Sequence, residues 1–213
     1  MERIICLAIG YLFGLFQTGY FYGLTKKIDI RKYGSGNAGT TNTLRTLGWK
    51  AGIITFIGDC FKCVLAVLLV RMIYGQDHAY IALLSMYAGA GVVLGHNYPC
   101  YMNFKGGKGI AATAGLILST NPVMFLIVAV VFAAIVLTTR YVSLGSIVIM
   151  IVFVIEVFVY GQHGGFGLEG ALLYELYGVA IFLAAMAIIR HRANIKRLLS
   201  GTENKFGVIN KVK

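Results

Sequence analysis

The chain has 213 residues, of which 58% are hydrophobic and 13% charged, with a mean hydropathy of +0.78 and a formal net charge of +11. Soluble domains carry about 25% charged residues, so an ordinary soluble globule is excluded. Long apolar runs broken by basic loops predict an all-α, polytopic membrane helix bundle in a single domain, with no nucleic-acid partner.

Residues 4–22 are the first apolar segment. They are long enough to span, and no small-residue cleavage site follows a short apolar core, so they read as a retained helix. A basic stretch, KKIDIRKY, leads into GSGNAGTTNTLR at 34–45. Its Gly34-x-Gly36-x-x-Gly39 spacing is that of a dinucleotide fingerprint, and Asp59 lies 20 residues past the last glycine. That fingerprint needs a preceding strand and a βαβ unit. Here a basic stretch precedes it, and Asp59 sits in an apolar run, three residues from Lys62, where the two can pair on one helix face. The nucleotide reading therefore fails. What remains is a polar loop with free backbone N–H groups, hydroxyls at Ser35, Thr40 and Thr41, amides at Asn37 and Asn42, and the Arg45 guanidinium, all suited to a phosphate or oxyanion.

Residues 51–74 and 79–95 are the next spans. Cys60-x-x-Cys63 has redox or metal spacing but no second Cys or His pair nearby, so the two read as small helix residues. The second polar cluster is GHNYPCYMNFKGGKGIAAT, 95–113. Gly106-Gly107-Lys108-Gly109 runs into a helix start, where glycine lets backbone approach an anion and lysine supplies charge. It is not a Walker A loop, because Gly109 stands where Ser or Thr would bind magnesium. As a bland alternative, the same residues make a flexible turn.

Residues 110–119 rise only about 15 Å, too short to span, and Asn121-Pro122 breaks the chain before 123–137. The two segments read as a short helix plus a longer one, or as a re-entrant dip. TRYVSLGS at 139–146 adds Arg140 and Ser143. Spans at 144–160 and 171–189 follow, then HRANIKRLLSGTENK at 191–205, where His191, Asn194 and Arg197 share a helix face. The count is about seven transmembrane helices, one of them short.

The loops around 25–50, 96–108 and 140 and the tail from 190 hold 16 of the 19 basic residues, while 75–78 and 161–170 hold none. By the positive-inside rule the basic segments and the C-terminus are cytoplasmic and the N-terminus is outside. Basic loops can simply anchor a protein to anionic lipid, but that does not explain glycines, serines and asparagines among the charges. A transporter or binding protein for a phosphorylated solute is the competing class. It is disfavoured because no convincing repeat exists and only Asp59, Lys62 and Glu156 lie deep in spans.

SGNAGTTNTLR, GHNYPCYMNFKGGKG and HRANIKRLLSGTENK, in that order, resemble the three motifs of the bacterial acyl-phosphate:glycerol-3-phosphate acyltransferases, the PlsY family, over residues from about 10 to 205. Phe16-Gln17-Thr18-Gly19 departs from a Ser-x-Pro-like element of that family. The resemblance implies a multi-pass enzyme of the bacterial plasma membrane with its active site facing the cytoplasm. It would move a fatty acyl group from acyl phosphate to the 1-hydroxyl of glycerol 3-phosphate, giving lysophosphatidic acid, the first step of phospholipid synthesis. Its partners would be those two substrates and membrane lipids. No residue five after any of the four histidines is Asp, so no His–Asp dyad is present, and no metal or other cofactor is expected. The acyl phosphate is a mixed anhydride with a good leaving group, so direct attack without an acyl-enzyme is expected, with a phosphate oxygen or His191 taking the proton. Ser35, Asn37, Arg45, His191 and Asn194 are the expected catalytic residues. Gly36, Gly39, Thr41, Asn42, His96, Lys105, Gly106, Gly107, Lys108, Gly109, Arg140, Ser143 and Arg197 would bind substrate, and Glu203 would be structural.

Overall fold

The computed structural model describes residues 1–207, so Lys211 and Lys213 of the basic tail lie outside the described residues. Regular structure among them is all helical. Helices α1 (Glu2–Leu15) and α2 (Thr18–Thr25) form one interrupted span, and α3 (Thr40–Leu47) is short. The bundle continues with α4 (Trp49–Tyr74), α5 (Ile81–Asn97), α6 (Ile110–Thr120), α7 (Pro122–Thr139), α8 (Val142–Gln162) and α9 (Gly170–Arg190), and α10 (Arg192–Leu199) follows.

Five segments are long and apolar enough to cross a membrane: Glu2–Thr25, α4, α7, α8 and α9. Helix α5, with 17 residues, rises about 26 Å and runs through the middle of the bundle with most of its side chains buried. Helix α6 has only 11 residues. Asn121 ends it, accepting a 2.8 Å hydrogen bond from the Val123 N–H, and Pro122 occupies the first turn of α7, where its missing N–H costs nothing. The start of α6 and the end of α7 line the same cavity, so the pair is a hairpin that returns to the end it left.

Helices gain little from hydrophobic segregation in lipid, so close packing must hold them together. Gly10 and Gly14 of α1 face Gly91 and Gly95 of α5. A Cβ at Gly10 would strike the Ala88 carbonyl, and one at Gly95 the Tyr11 carbonyl. Gly115 seats α6 against the Cys60 carbonyl of α4 in the same way. Near the N-terminus, Arg3 makes two hydrogen bonds to Glu175 of α9 at 2.5 and 2.8 Å, and Tyr87 of α5 donates to the same carboxylate at 2.8 Å.

The first span was expected to be continuous over 4–22, but it breaks at Phe16–Gln17. Gln17 is buried and its amide donates to the carbonyls of Gly14 and His96, each at 3.1 Å. The break frees α1 carbonyls and α2 amides inside the bundle, which buried groups must satisfy. Lys62 does so for the Phe16 carbonyl at 2.6 Å, and Asp59 takes the Thr18 hydroxyl at 3.0 Å. The expected Asp59–Lys62 pair is present at 2.9 Å, with side chains 1% and 5% exposed.

Candidate active site

The loop before α3 is shaped by its own side chains. The buried Asn42 amide donates to the carbonyls of Ile30 and Tyr33, each at 3.0 Å, and its oxygen accepts the Ser35 N–H at 2.7 Å. The Asn37 oxygen accepts the Gly39 N–H at 2.9 Å, while its amide reaches the Gly106 carbonyl at 3.4 Å. These contacts hold Ser35 forward and leave Gly39 at the mouth of α3, beside Thr40 and Thr41.

The second loop is held from below and behind. The Gly106 and Gly107 N–H groups donate to the carbonyls of Asn97 and His96 at 3.1 and 3.0 Å. Arg190 donates to the Gly106 and Gly107 carbonyls at 3.0 and 2.7 Å, with its guanidinium 5.2 Å from the centre of the Tyr98 ring. Gly109 has φ +82°, a left-handed conformation that favours glycine, and it turns the chain so that α6 starts immediately after Lys108.

Both loops, the starts of α3 and α8 and the end of α9 surround a cavity of about 230 Å³. Ser35, Asn37, Gly39, Thr41, Asn42, Arg45, His96, Lys108, Gly109, Ser143, His191, Asn194, Arg197 and Glu203 line it. Leu44, Phe56, Phe132, Val136 and Val142 form its apolar side, between α4, α7 and α8. A more open, polar mouth of about 490 Å³ adjoins it and brings in Gly36, Lys105, Gly106 and Arg190. Among the described residues the buried hydroxyls of Thr40 and Ser143 have no partner, so both can serve a ligand.

Lys108 donates to the Asn194 oxygen, and the Asn194 amide donates to Glu203 at 2.9 Å. Arg197 pairs with the other Glu203 oxygen at 2.8 Å. One carboxylate thus lies near Arg45, Lys108 and Arg197. Burial lowers Lys108 to about 8, and the positive charges of Arg197, Arg190 and Arg45 push the same way while Glu203 opposes them. Burial, more than the Arg197 charge, also lowers Arg45. A site with this surplus of desolvated positive charge favours an anion. His191 is buried, with Nδ1 2.7 Å from the Ala187 carbonyl. That contact requires the proton on Nδ1 and leaves the Nε2 lone pair free. Burial first, then the Lys108 charge, lowers this imidazole to about 4, so it is neutral at ordinary pH.

The structure corrects several sequence expectations. Gly107 lies on neither cavity wall. Its glycine is required because a Cβ would run into the His96 ring. The Gly106 and Gly107 amides, expected to face an anion, are used within the protein. Asn42 reaches the wall, but its side chain is occupied as the clamp of the first loop. Ser35, Gly36 and Gly39 likewise have their N–H groups engaged, which leaves fewer free amides than the glycine spacing suggests. Arg140 lies outside the cavity and donates to the Phe206 carbonyl at 3.0 Å, while the Phe206 N–H donates back to the Arg140 carbonyl at 2.6 Å. Glu203, expected to be structural, accepts from both Asn194 and Arg197.

Sequence reasoning missed Arg190, Asn204 and Phe206 as residues around the site. Arg190 looked like one more basic residue at a helix end. A signal was available, since it directly precedes His191 at the end of α9.

A helical membrane bundle whose cation-lined end cavity opens along an apolar side defines an integral membrane protein built to hold an anion beside lipid. The glycerol-3-phosphate acyltransferase family model matches residues 4–201. The glycerol-3-phosphate acyltransferase of Clostridioides difficile (strain 630) is 43% identical, covering 96% of this chain and 95% of its own, and that of Thermoanaerobacter sp. (strain X514) is 39% identical over the full length of both. Crystal structures of PlsY, an integral membrane glycerol 3-phosphate acyltransferase, superimpose closely. The glycerol 3-phosphate form gives a TM-score of 0.83 at 35% identity, over 97% of this chain and 96% of that one. The lysophosphatidic acid form gives 0.81 at 34% identity, over 98% and 97%. The chain belongs to the glycerol-3-phosphate acyltransferase family.

Proposed function

We propose that this protein transfers a fatty acyl group from acyl phosphate to the 1-hydroxyl of glycerol 3-phosphate, releasing lysophosphatidic acid and phosphate, at the cytoplasmic face of a bacterial plasma membrane. The observation that carries the reading is the junction of a cavity wall bearing Arg45, Lys108 and Arg197 with an apolar side formed by Phe56, Phe132 and Val136. An acyl phosphate has this polarity, an anionic head on a chain that belongs in lipid.

The hydroxyl oxygen attacks the acyl carbon, the bond from that carbon to the phosphate oxygen breaks, and phosphate leaves with the electron pair. Lys108, Arg45 and Arg197 stabilise the phosphate charges, and Ser35, Ser143 and Asn194 supply neutral donors. The His191 Nε2 lone pair can accept a hydrogen bond from the attacking hydroxyl and orient it. At about 4 it is a weak base, so a phosphate oxygen, whose second ionisation lies near 6, is the better proton acceptor.

Purified protein assayed with glycerol 3-phosphate and each of acyl phosphate, acyl-CoA and acyl carrier protein tests the donor. Turnover with acyl-CoA but not acyl phosphate would overturn it. Direct attack predicts no incorporation of labelled phosphate into acyl phosphate without acceptor, and incorporation would instead indicate an acyl-enzyme.

A further inference from the structure

Lys62 carries three protons and no lone pair. Its ammonium lies 2.6 Å from the Phe16 carbonyl, 2.9 Å from Asp59 Oδ1 and 2.9 Å from His96 Nδ1, with the Gly14 carbonyl further off at 3.4 Å. A protonated Nδ1 would point its hydrogen at an ammonium, so Nδ1 must accept and the His96 proton must sit on Nε2. Asp59 Oδ1, 3.7 Å from Nδ1, is too distant to take that proton. Nε2 has no hydrogen-bond partner among the described residues, and His96 lines the cavity beneath Gly107.

We propose that Asp59 and Lys62 are positioning residues that fix His96 as the Nε2–H tautomer, and that His96 offers this hydrogen to an anionic or carbonyl oxygen in the cavity. Asp59 holds the ammonium in place and caps α2 by accepting the Thr18 N–H at 3.4 Å and its hydroxyl at 3.0 Å, so the break in the first span and the imidazole beside the second loop are set by one buried pair. The pair thereby links the membrane interior to the cavity. The inference rests on the reading of the cavity as the acyl-transfer site.

Nitrogen-15 spectra of histidine-labelled, unsubstituted protein in detergent provide the first test. The His96 signals, assigned by their loss in His96→Gln, should show a proton on Nε2 and none on Nδ1. The reverse tautomer overturns the proposal whether or not any variant folds. Kinetics provide the second test. Lys62→Met should lower kcat/KM for glycerol 3-phosphate by roughly tenfold or more, the size of a charge-assisted or oriented hydrogen bond. His96→Gln, which keeps a donor near the Nε2 position, should retain more activity than His96→Asn. In the His96→Asn background Lys62→Met should cost no further activity, and losses that simply multiply would make Lys62 a structural staple instead. If the unsubstituted protein transfers no acyl group to glycerol 3-phosphate, the functional reading fails, while the tautomer spectrum still decides whether the pair sets His96.

Discussion

Lys105 and Lys108 belong to the same motif and look equivalent in sequence, but the structure separates them. Lys105 is exposed on the open mouth, whereas Lys108 is drawn into the cavity and hydrogen-bonds Asn194. An exposed ion pair is worth about 0–1 kcal/mol, so Lys105→Ala should reduce kcat/KM for glycerol 3-phosphate by no more than about fivefold. A desolvated charged hydrogen bond is worth about 1.5–3 kcal/mol, so Lys108→Ala should reduce it by about 10- to 150-fold. Acyl transfer by purified protein in detergent measures both. The pH dependence adds a second reading. Lys108 is held at about 8, below the ordinary lysine value, so in the empty site its charge is present below that pH and lost above it. The KM for glycerol 3-phosphate should therefore rise between pH 7 and 9, where the substrate phosphate no longer changes charge. Lys108→Arg should flatten that rise, because a guanidinium stays protonated. Equal losses for the two alanine variants, or a KM independent of pH over that range, would refute the assignment of Lys108 to the anion.

His191, held at about 4, cannot produce an acid limb near neutrality. The acid limb of kcat/KM should lie near 6, where a phosphate monoester dianion takes up one proton, and it should stay there in the residual activity of His191→Gln. Gly107→Ala would push a methyl into the His96 ring. An overpacking cost of about 1–3 kcal/mol should appear as lost activity and a lower unfolding temperature, whereas Gly164→Ala, at an open turn, should leave activity unchanged. Glu203→Ala removes the shared partner of Asn194 and Arg197. Glu203 itself is only 6% exposed, and removing one partner of a buried charged pair leaves the rest uncompensated, so the melting temperature should fall by several degrees, with a loss of kcat/KM as both side chains lose their orientation.

The spans were legible because apolar runs of bilayer length admit one solution, a helix. The short α6 was legible for the same reason, since its length and Asn121-Pro122 mark where the chain must turn. The break in the first span was not. Gln17 sits in an apolar run that reads as continuous, and its partner His96 is 79 positions away, while Lys62, which satisfies the Phe16 carbonyl, is 46 positions from it, so only the folded bundle shows that the freed backbone groups are satisfied. The ends of the three polar clusters were visible as chemistry, but their internal division of labour was not. Asn37 and Asn42 looked like ligand donors because amides suit anions. Amides also suit the backbone groups of a tight loop, and Asn42 spends all its bonding there.

The glycines carry the same lesson. Spacing in GSGNAG and KGGKG suggests a cradle of open N–H groups, yet several of those amides are occupied, and Gly107 is small because an imidazole lies against it. The cationic side chains, not the backbone, then supply most of the attraction for an anion. On the proposed function, cations that converge on one carboxylate and leave charge over would hold two phosphates in turn, one arriving on the acceptor and one departing from the donor. A cradle of backbone dipoles shaped to one phosphate would be slower to release it. On that proposal, a cavity that relies on Arg45, Lys108 and Arg197, with one lysine held near 8, would bind the leaving phosphate most strongly while it carries its full charge.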